Sequence, residues 1–450
     1  MKRLLLLISV TLVLSMNMGA QDGAEEVILL NYKTLTKKTA SSDEQILDEK
    51  KGVKSNTWVK RGKLYQDVYN QGLEQVILGT SVDALKIFYG EPVSTETDDN
   101  NVEILKYETI NYHFENGALR AWSRNNPIHE DPLNVALESF KKSIELTDPE
   151  KQANAESKIK ENLDLLKEQF QNSGQSRYFL GDLEAALKDF ESILEVNKFS
   201  SYDGIVDTLM ISFSGIVARE IGRVNKDNDY YQKAISYYKT LTELEYGGTN
   251  TYIQMTRDYY AIGDTLAAIE NLKRGLEQHP DSSILVTVTA QAYYLLHDND
   301  GGIEFVDQRL EKNPNCSEAY YWKGLLLTNH KDLGQDTIDM ALELYEKALE
   351  IDPSKTAIWY QAGYVYYALG ANFYEQEGYE DDPEFRAELA AKGEENYVKA
   401  AEKLEKVYEL AVNDVSLQSE ALDLLKRIYY KLYGSEDSRY IEVMEKIKTL

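Results

Sequence analysis

Along the middle and C-terminal parts of the chain, small and apolar residues recur at helical spacing, and the runs break at regular points. Residues 345–353, YEKALEIDP, set out the pattern. Tyr345, Ala348, Leu349 and Ile351 fall on one face, and Asp352-Pro353 ends the run. Proline lacks the N–H that the next helical turn needs and clashes with the turn before it. Pro280 and Pro314 stand 34 residues apart, and Pro353 follows 39 later. A period near 34 with aromatics and small residues at fixed offsets predicts a two-helix repeat. One such hairpin cannot cover its own apolar face, so neighbours stack.

The units keep register. One begins at Ser317, with Tyr320, Gly324, Ala341, Tyr345, Ala348 and Pro353 in place after a turn lengthened by five residues. Trp359, Gly363 and Tyr366 open the next. Tyr252, Tyr259, Gly263, Ala268, Leu272 and Pro280 mark 249–282, while 283–316 keeps Ala290, Tyr293 and Pro314 but carries Gly302 where alanine is usual. Upstream, Gly174, Gly181-Asp182, Ala186 and Phe190 mark a unit at 150–200 with an extended first helix. Gly215, Ala234 and Tyr238 mark another at 201–248. These positions resemble the tetratricopeptide (TPR) family, which implies an all-α fold: a right-handed superhelix, or α-solenoid, of helix pairs. Residues 413–450 read as capping helices.

Two segments interrupt the pattern. Trp58, Gly62 and Tyr65 open a repeat, and Ala136, Phe140 and Leu146 close one, so 58–149 reads as a single pair split by an insertion at about 70–131. Within it Ser81 caps a short helix that stops at Gly90, and an alternating run follows. Asn116-Gly117 then predicts a hairpin. This small α+β insertion is similar, over 79–122, to the small lipoprotein of the bacterial β-barrel assembly machinery, and no partner is carried over from that likeness. The second interruption, about 371–395 within a unit spanning 356–412, holds Glu375, Glu377, Glu380, Asp381, Asp382 and Glu384. It reads as a solvated acidic loop in an expanded turn, since its spacing fits no cation-binding loop.

The first twenty residues differ from the rest. Lys2 and Arg3 precede an apolar run from Leu4 to Leu14, and small residues follow at Gly19 and Ala20. That is the layout of a secretory signal peptide, and the run is too short to span a bilayer comfortably. Cleavage after Ala20 takes the net charge from −27 to −29 and leaves a lead-in, 21–57, before the first pair. The expected location is a bacterial periplasm or the exterior, with no stable membrane span after cleavage. The acidic balance excludes nucleic acid as an expected partner, because phosphate binding needs clustered Lys and Arg. Cys316, alone in the sequence, can form no internal disulfide.

No chemical motif emerges. The five histidines, at 113, 129, 279, 297 and 330, are scattered, and no metal-ligand spacing or phosphate loop accompanies them. DNDGG at 298–302 reads as a turn between helices. The expectation is a non-enzymatic protein without cofactor or metal. What remains is surface: 33 tyrosines, several in pairs. On a repeat of the family resembled, the first tyrosine of a pair packs between helices and the second faces the concave side. This places Gln254, Arg257, Tyr260, Gln291, Tyr294, Tyr321, Tyr360, Gln361, Tyr364 and Tyr367 on that side. Tyrosine offers a rigid ring with one hydrogen-bonding tip, suited to gripping a protein or peptide. The same rings could instead stack on a glycan, or merely pack against the chain's own loops. An enzyme whose residues meet only in the fold is the third alternative.

Overall fold

A computed structural model describes residues 24–329 and 334–450. The expected signal peptide at 1–20 lies outside the described residues. The chain is all-α with one small sheet, and it divides into two compact units meeting in sequence at Tyr246 and Gly247.

The first unit holds α1 (Ala24–Leu47), α2 (Ser55–Asn70), α3 (Val82–Tyr89), and the strands β1 (Ser94–Thr97), β2 (Glu103–Lys106), β3 (Ile110–Glu115) and β4 (Ala118–Arg124). After the strands come α4 (Pro132–Glu145), α5 (Gln152–Leu180), α6 (Leu183–Val196), α7 (Thr208–Asn225) and α8 (Asn228–Glu243). Helices α2 and α4 pack as a pair although an α+β insertion separates them, and α5 with α6 and α7 with α8 form the next two. The close approach in each pair depends on a missing side chain. A Cβ at Gly62 would lie 2.6 Å from the Phe140 ring, and one at Gly174 would lie 2.7 Å from Phe190.

The insertion is an antiparallel meander in the order β1-β2-β3-β4, with α3 leading in. The Ser81 hydroxyl accepts from the Ala84 N–H at 3.2 Å, and Gly90, at φ 77°, ends α3. Asn116 (φ 54°) and Gly117 (φ 74°) supply the two left-handed residues that a tight β3–β4 turn needs. Leu105, Ile110, Tyr112, Phe114 and Leu119 are buried, as is Leu85 of α3, and Tyr89 of α3 stacks on Tyr112 at 6.1 Å. Arg124 joins the sheet to the helix pair: its guanidinium donates to the backbone carbonyls of Tyr69 and Gln71, capping the open C-terminal end of α2. The Trp122 N–H donates to the Ser176 hydroxyl of α5 at 3.0 Å.

The second unit comprises α9 (Gly248–Ala261), α10 (Thr265–Gln278), α11 (Ser283–Leu295), α12 (Asn299–Lys312), α13 (Ser317–Thr328), α14 (Gln335–Ile351), α15 (Thr356–Tyr379), α16 (Pro383–Leu410), α17 (Val415–Tyr433) and α18 (Ser438–Thr449). Consecutive helices pair from α9-α10 to α17-α18, and each second helix packs on the next first helix. A Cβ at Gly324 would meet the Tyr345 ring at 2.6 Å. Gly302 replaces the usual alanine because even a methyl there would approach Leu326 and the Tyr293 Cβ to 2.9 and 3.0 Å. Three turns within pairs, at Lys226-Asp227, Gly263-Asp264 and His297-Asp298, share one device, a left-handed residue followed by a helix-capping aspartate. Gly263-Asp264 is one case, and Asp264 accepts from the Ala267 N–H at 3.0 Å. His297-Asp298 is another, with the histidine itself at φ 57°.

One expectation is corrected. The acidic segment 371–395 is not a loop: α15 runs on to Tyr379, α16 starts at Pro383, and only residues 380–382 turn. Helix persists because Tyr374, Leu389, Gly393 and Tyr397 keep an inward-facing stripe. Gly393 lies against the Tyr374 ring, and the Tyr374 and Tyr397 rings sit 5.2 Å apart. The carboxylates occupy the outer faces and the tip.

Candidate binding face

The ten residues singled out from the sequence all belong to first helices of the second unit: α9, α11, α13 and α15. Their surroundings divide them. Tyr294 and Tyr321 are half-buried and converge on Trp322, with ring centroids 6.2 and 5.5 Å away and interplanar angles of 61° and 65°. Tyr321 also lies 6.1 Å from Tyr345 of α14, and Gln361 of the next pair is half-buried. One aromatic string therefore links α11, α13 and α14. Burial raises the Tyr321 hydroxyl above its ordinary range, with the Tyr294 hydroxyl adding to the effect.

A second group forms farther along α15. Tyr360 and Tyr364 stack at 6.4 Å and 19°, and Tyr364 is 46 % exposed. Burial, then the Glu420 carboxylate on α17, pushes Tyr360 up to about 12, so its hydroxyl stays protonated as a donor at neutral pH. Tyr367 stacks on Tyr397 of α16 at 5.5 Å and 3°, which covers one of its faces. On α9, Gln254 takes part in a helix-surface bond to Asn250, while Arg257 and Tyr260 are exposed. Burial nonetheless raises the Tyr260 hydroxyl. Gln291 of α11 is exposed. Neither Arg257 nor Tyr260 shares a ring or ion-pair contact with the tyrosine groups among the described residues.

Residues the sequence reading passed over complete the face. Trp322 is 8 % exposed and lies at the centre of the first string. The run YYW at 320–322 signals a third ring, but on a helix it points well away from Tyr320, so tyrosine pairing alone overlooks it. Glu420 and Tyr397 come from second-helix and next-pair positions that only the fold brings near. Among the described residues, no group of three or more His, Cys, Asp or Glu could hold a metal ion, and no helix is long and apolar enough to cross a membrane.

Residues 335–370, which cover α14 and the first part of α15, match the family model described as TPR repeat. The chain carries tetratricopeptide repeats. Solved structures with partial likeness include MamA from Desulfovibrio magneticus RS-1, 17 % identical, covering 45 % of this chain and 97 % of that one at a TM-score of 0.27. A TPR repeats protein from Bacteroides fragilis is 18 % identical and covers 57 % of this chain and 97 % of its own at a TM-score of 0.31. An IFIT1 monomeric mutant with m7Gppp-AAAA is 16 % identical, with 72 % and 69 % covered and a TM-score of 0.35. The TPR assignment itself rests on the matched segment and on the glycine-to-ring contacts that recur from pair to pair.

Proposed function

We propose that this TPR protein is an exported, non-catalytic scaffold that grips an extended protein or peptide segment along the tyrosine-bearing first helices of its second unit. The observation that carries the reading is the run of half-exposed, hydroxyl-bearing ring edges from Tyr294 and Tyr321 to Tyr360 and Tyr364 on successive first helices. Rigid aromatics with a polar tip contribute large contact areas at low entropic cost. Ring orientation favours peptide over sugar: Trp322 approaches Tyr294 and Tyr321, and Tyr397 covers Tyr367, so these rings offer edges more than open faces for stacking.

Capture from a bacterial envelope extract tests it, comparing the native chain with Tyr260→Ala and Tyr364→Ala combined. Both side chains are exposed, so folding is retained and circular dichroism checks that. A partner lost by about tenfold or more supports the face, and undiminished capture rejects it. The signal-like start supports export to the periplasm or exterior. Fractionation with mass spectrometry of the mature N-terminus tests this, and an intact Lys2-Arg3 start in the cytosol would refute it.

A further inference from the structure

Three helices of the second unit enclose a cleft of about 740 Å³, formed where α15 and α16 overrun the start of α14. Its walls carry opposite charge. Asp339, Glu343, Glu346 and Glu350 line one side along α14 together with Lys347, which pairs with Glu350 at 2.9 Å, so that wall is acidic on balance and most so at Asp339 and Glu343. Lys392, Asn396 and Lys399 form the facing stripe on α16. The floor is apolar and aromatic: Leu342 from α14, then Tyr366, Leu369 and Phe373 at helical spacing on α15. Lys403 pairs with Glu346 across one end.

Elsewhere the walls make only exposed pairs within their own helices, such as Lys347–Glu350 on α14. Glu343 makes no ion pair among the described residues. Lys392 and Lys399 pair only with Glu388 and Glu395 on their own helix, both at 2.7 Å and half-exposed, which are weak, exchangeable contacts. Their ammonium groups lie 5.9 and 5.7 Å from the Phe373 and Tyr366 ring centres, poised at the rim of the floor.

We propose that this cleft docks an amphipathic helix of a partner protein, with its apolar stripe on the floor, a basic flank along α14 and an acidic flank along α16. The site is separate from the tyrosine face. A helix suits it better than a strand, because a strand sends side chains alternately up and down and turns its backbone to the walls. A helix presents side chains to the floor and to both walls at once. The charges also fix direction, since reversing the helix would bring like charges together along both flanks.

Three synthetic peptides of about 15 residues, long enough to run along α14, test this against the full chain by fluorescence anisotropy. All share one leucine stripe, and their flanks are one basic and one acidic, both acidic, or both basic. The mixed peptide should bind the native protein about tenfold more tightly than either other. In Asp339→Lys/Glu343→Lys, whose substituted side chains are exposed, the doubly acidic peptide should become the tightest. Equal affinities, no binding, or an unchanged preference in the variant would overturn the proposal. So would self-association of the free protein that Phe373→Glu abolishes, because the occupant would then be a second copy.

Discussion

The glycine at which a helix pair closes can be tested by adding one methyl group. At Gly324 an alanine Cβ would lie 2.6 Å from Cε1 of Tyr345, 3.0 Å from its Cζ and 3.1 Å from the Ala341 carbonyl oxygen. The ring has nowhere to retreat: Tyr345 is fully buried, packs against Tyr321 and reaches Thr328 with its hydroxyl. Overpacking of this kind costs about 1–3 kcal/mol. Replacing glycine by alanine inside a helix returns roughly 0.5–1 kcal/mol through backbone entropy. A 2.6 Å approach to a fully buried ring belongs to the upper part of the overpacking cost, about 2–3 kcal/mol. The net loss is then about 1–2.5 kcal/mol, which lowers Tm by roughly 2–10 °C in a unit of this size. Gly378 provides the control, because it lies in α15 with nothing within 4 Å of its absent Cβ. Gly378→Ala should therefore raise Tm slightly. Thermal melts followed by circular dichroism measure both. In a double-mutant cycle with Tyr345→Leu, the Gly324→Ala penalty should shrink, since the obstructing ring is gone. If Gly324→Ala is neutral or stabilising, or its penalty persists without the ring, close approach is not what this glycine provides.

Other substitutions probe other features. Asp189 is 1 % exposed and sits 3.1 Å from the Arg177 guanidinium, yet burial pushes its carboxyl from 3.8 up to about 7. The folded state thus holds a proton that the unfolded chain releases above pH 4, so stability should fall between about pH 4 and 7 by several kcal/mol and then level off. Urea melts of Asp189→Asn should lose that slope, and an unchanged pH profile would contradict the assignment. Arg124→Ala removes charge-assisted bonds to the end of α2, worth roughly 1.5–3 kcal/mol each. Proteolysis should then begin within 71–131 before the helices are cut, and uniform digestion would argue against this anchoring role. His297→Gly relieves a left-handed histidine before the capping Asp298. It should stabilise by about 1 kcal/mol, read as a raised urea midpoint.

Much of the architecture was readable because the features that set it are local or periodic. Gly324 and Tyr345 announce a tight helix pair by spacing alone, Asn116-Gly117 announces its turn, and Ser81 and Gly90 bracket α3. The length of α15 and α16 was not readable in the same way. Clustered carboxylates outweigh a sparse stripe of Phe373, Tyr374, Leu389 and Tyr397 when charge is taken as the mark of a loop. The packing of those rings decides the matter, and it depends on residues about twenty positions apart. The candidate face was half legible: helical phase assigns a side chain to a first-helix surface, but exposure depends on neighbours such as Trp322, Glu420 and Tyr397. That is why Tyr364 and Tyr260 stand clear while Tyr321 and Tyr367 are partly enclosed.

The insertion between α2 and α4 has a consequence for the order of folding. Gly62 and the Phe140 ring must meet across the 61 residues from Gln71 to Asp131. Bridging such a span as loose chain, rather than a turn of a few residues, adds about 2–3 kcal/mol of closure entropy to the nucleating step. The meander avoids that penalty if it collapses first, since its strands are neighbours in sequence and Arg124 then returns the chain to the end of α2. The sheet would therefore act as a built-in splint, and refolding of the first helix pair should wait upon it.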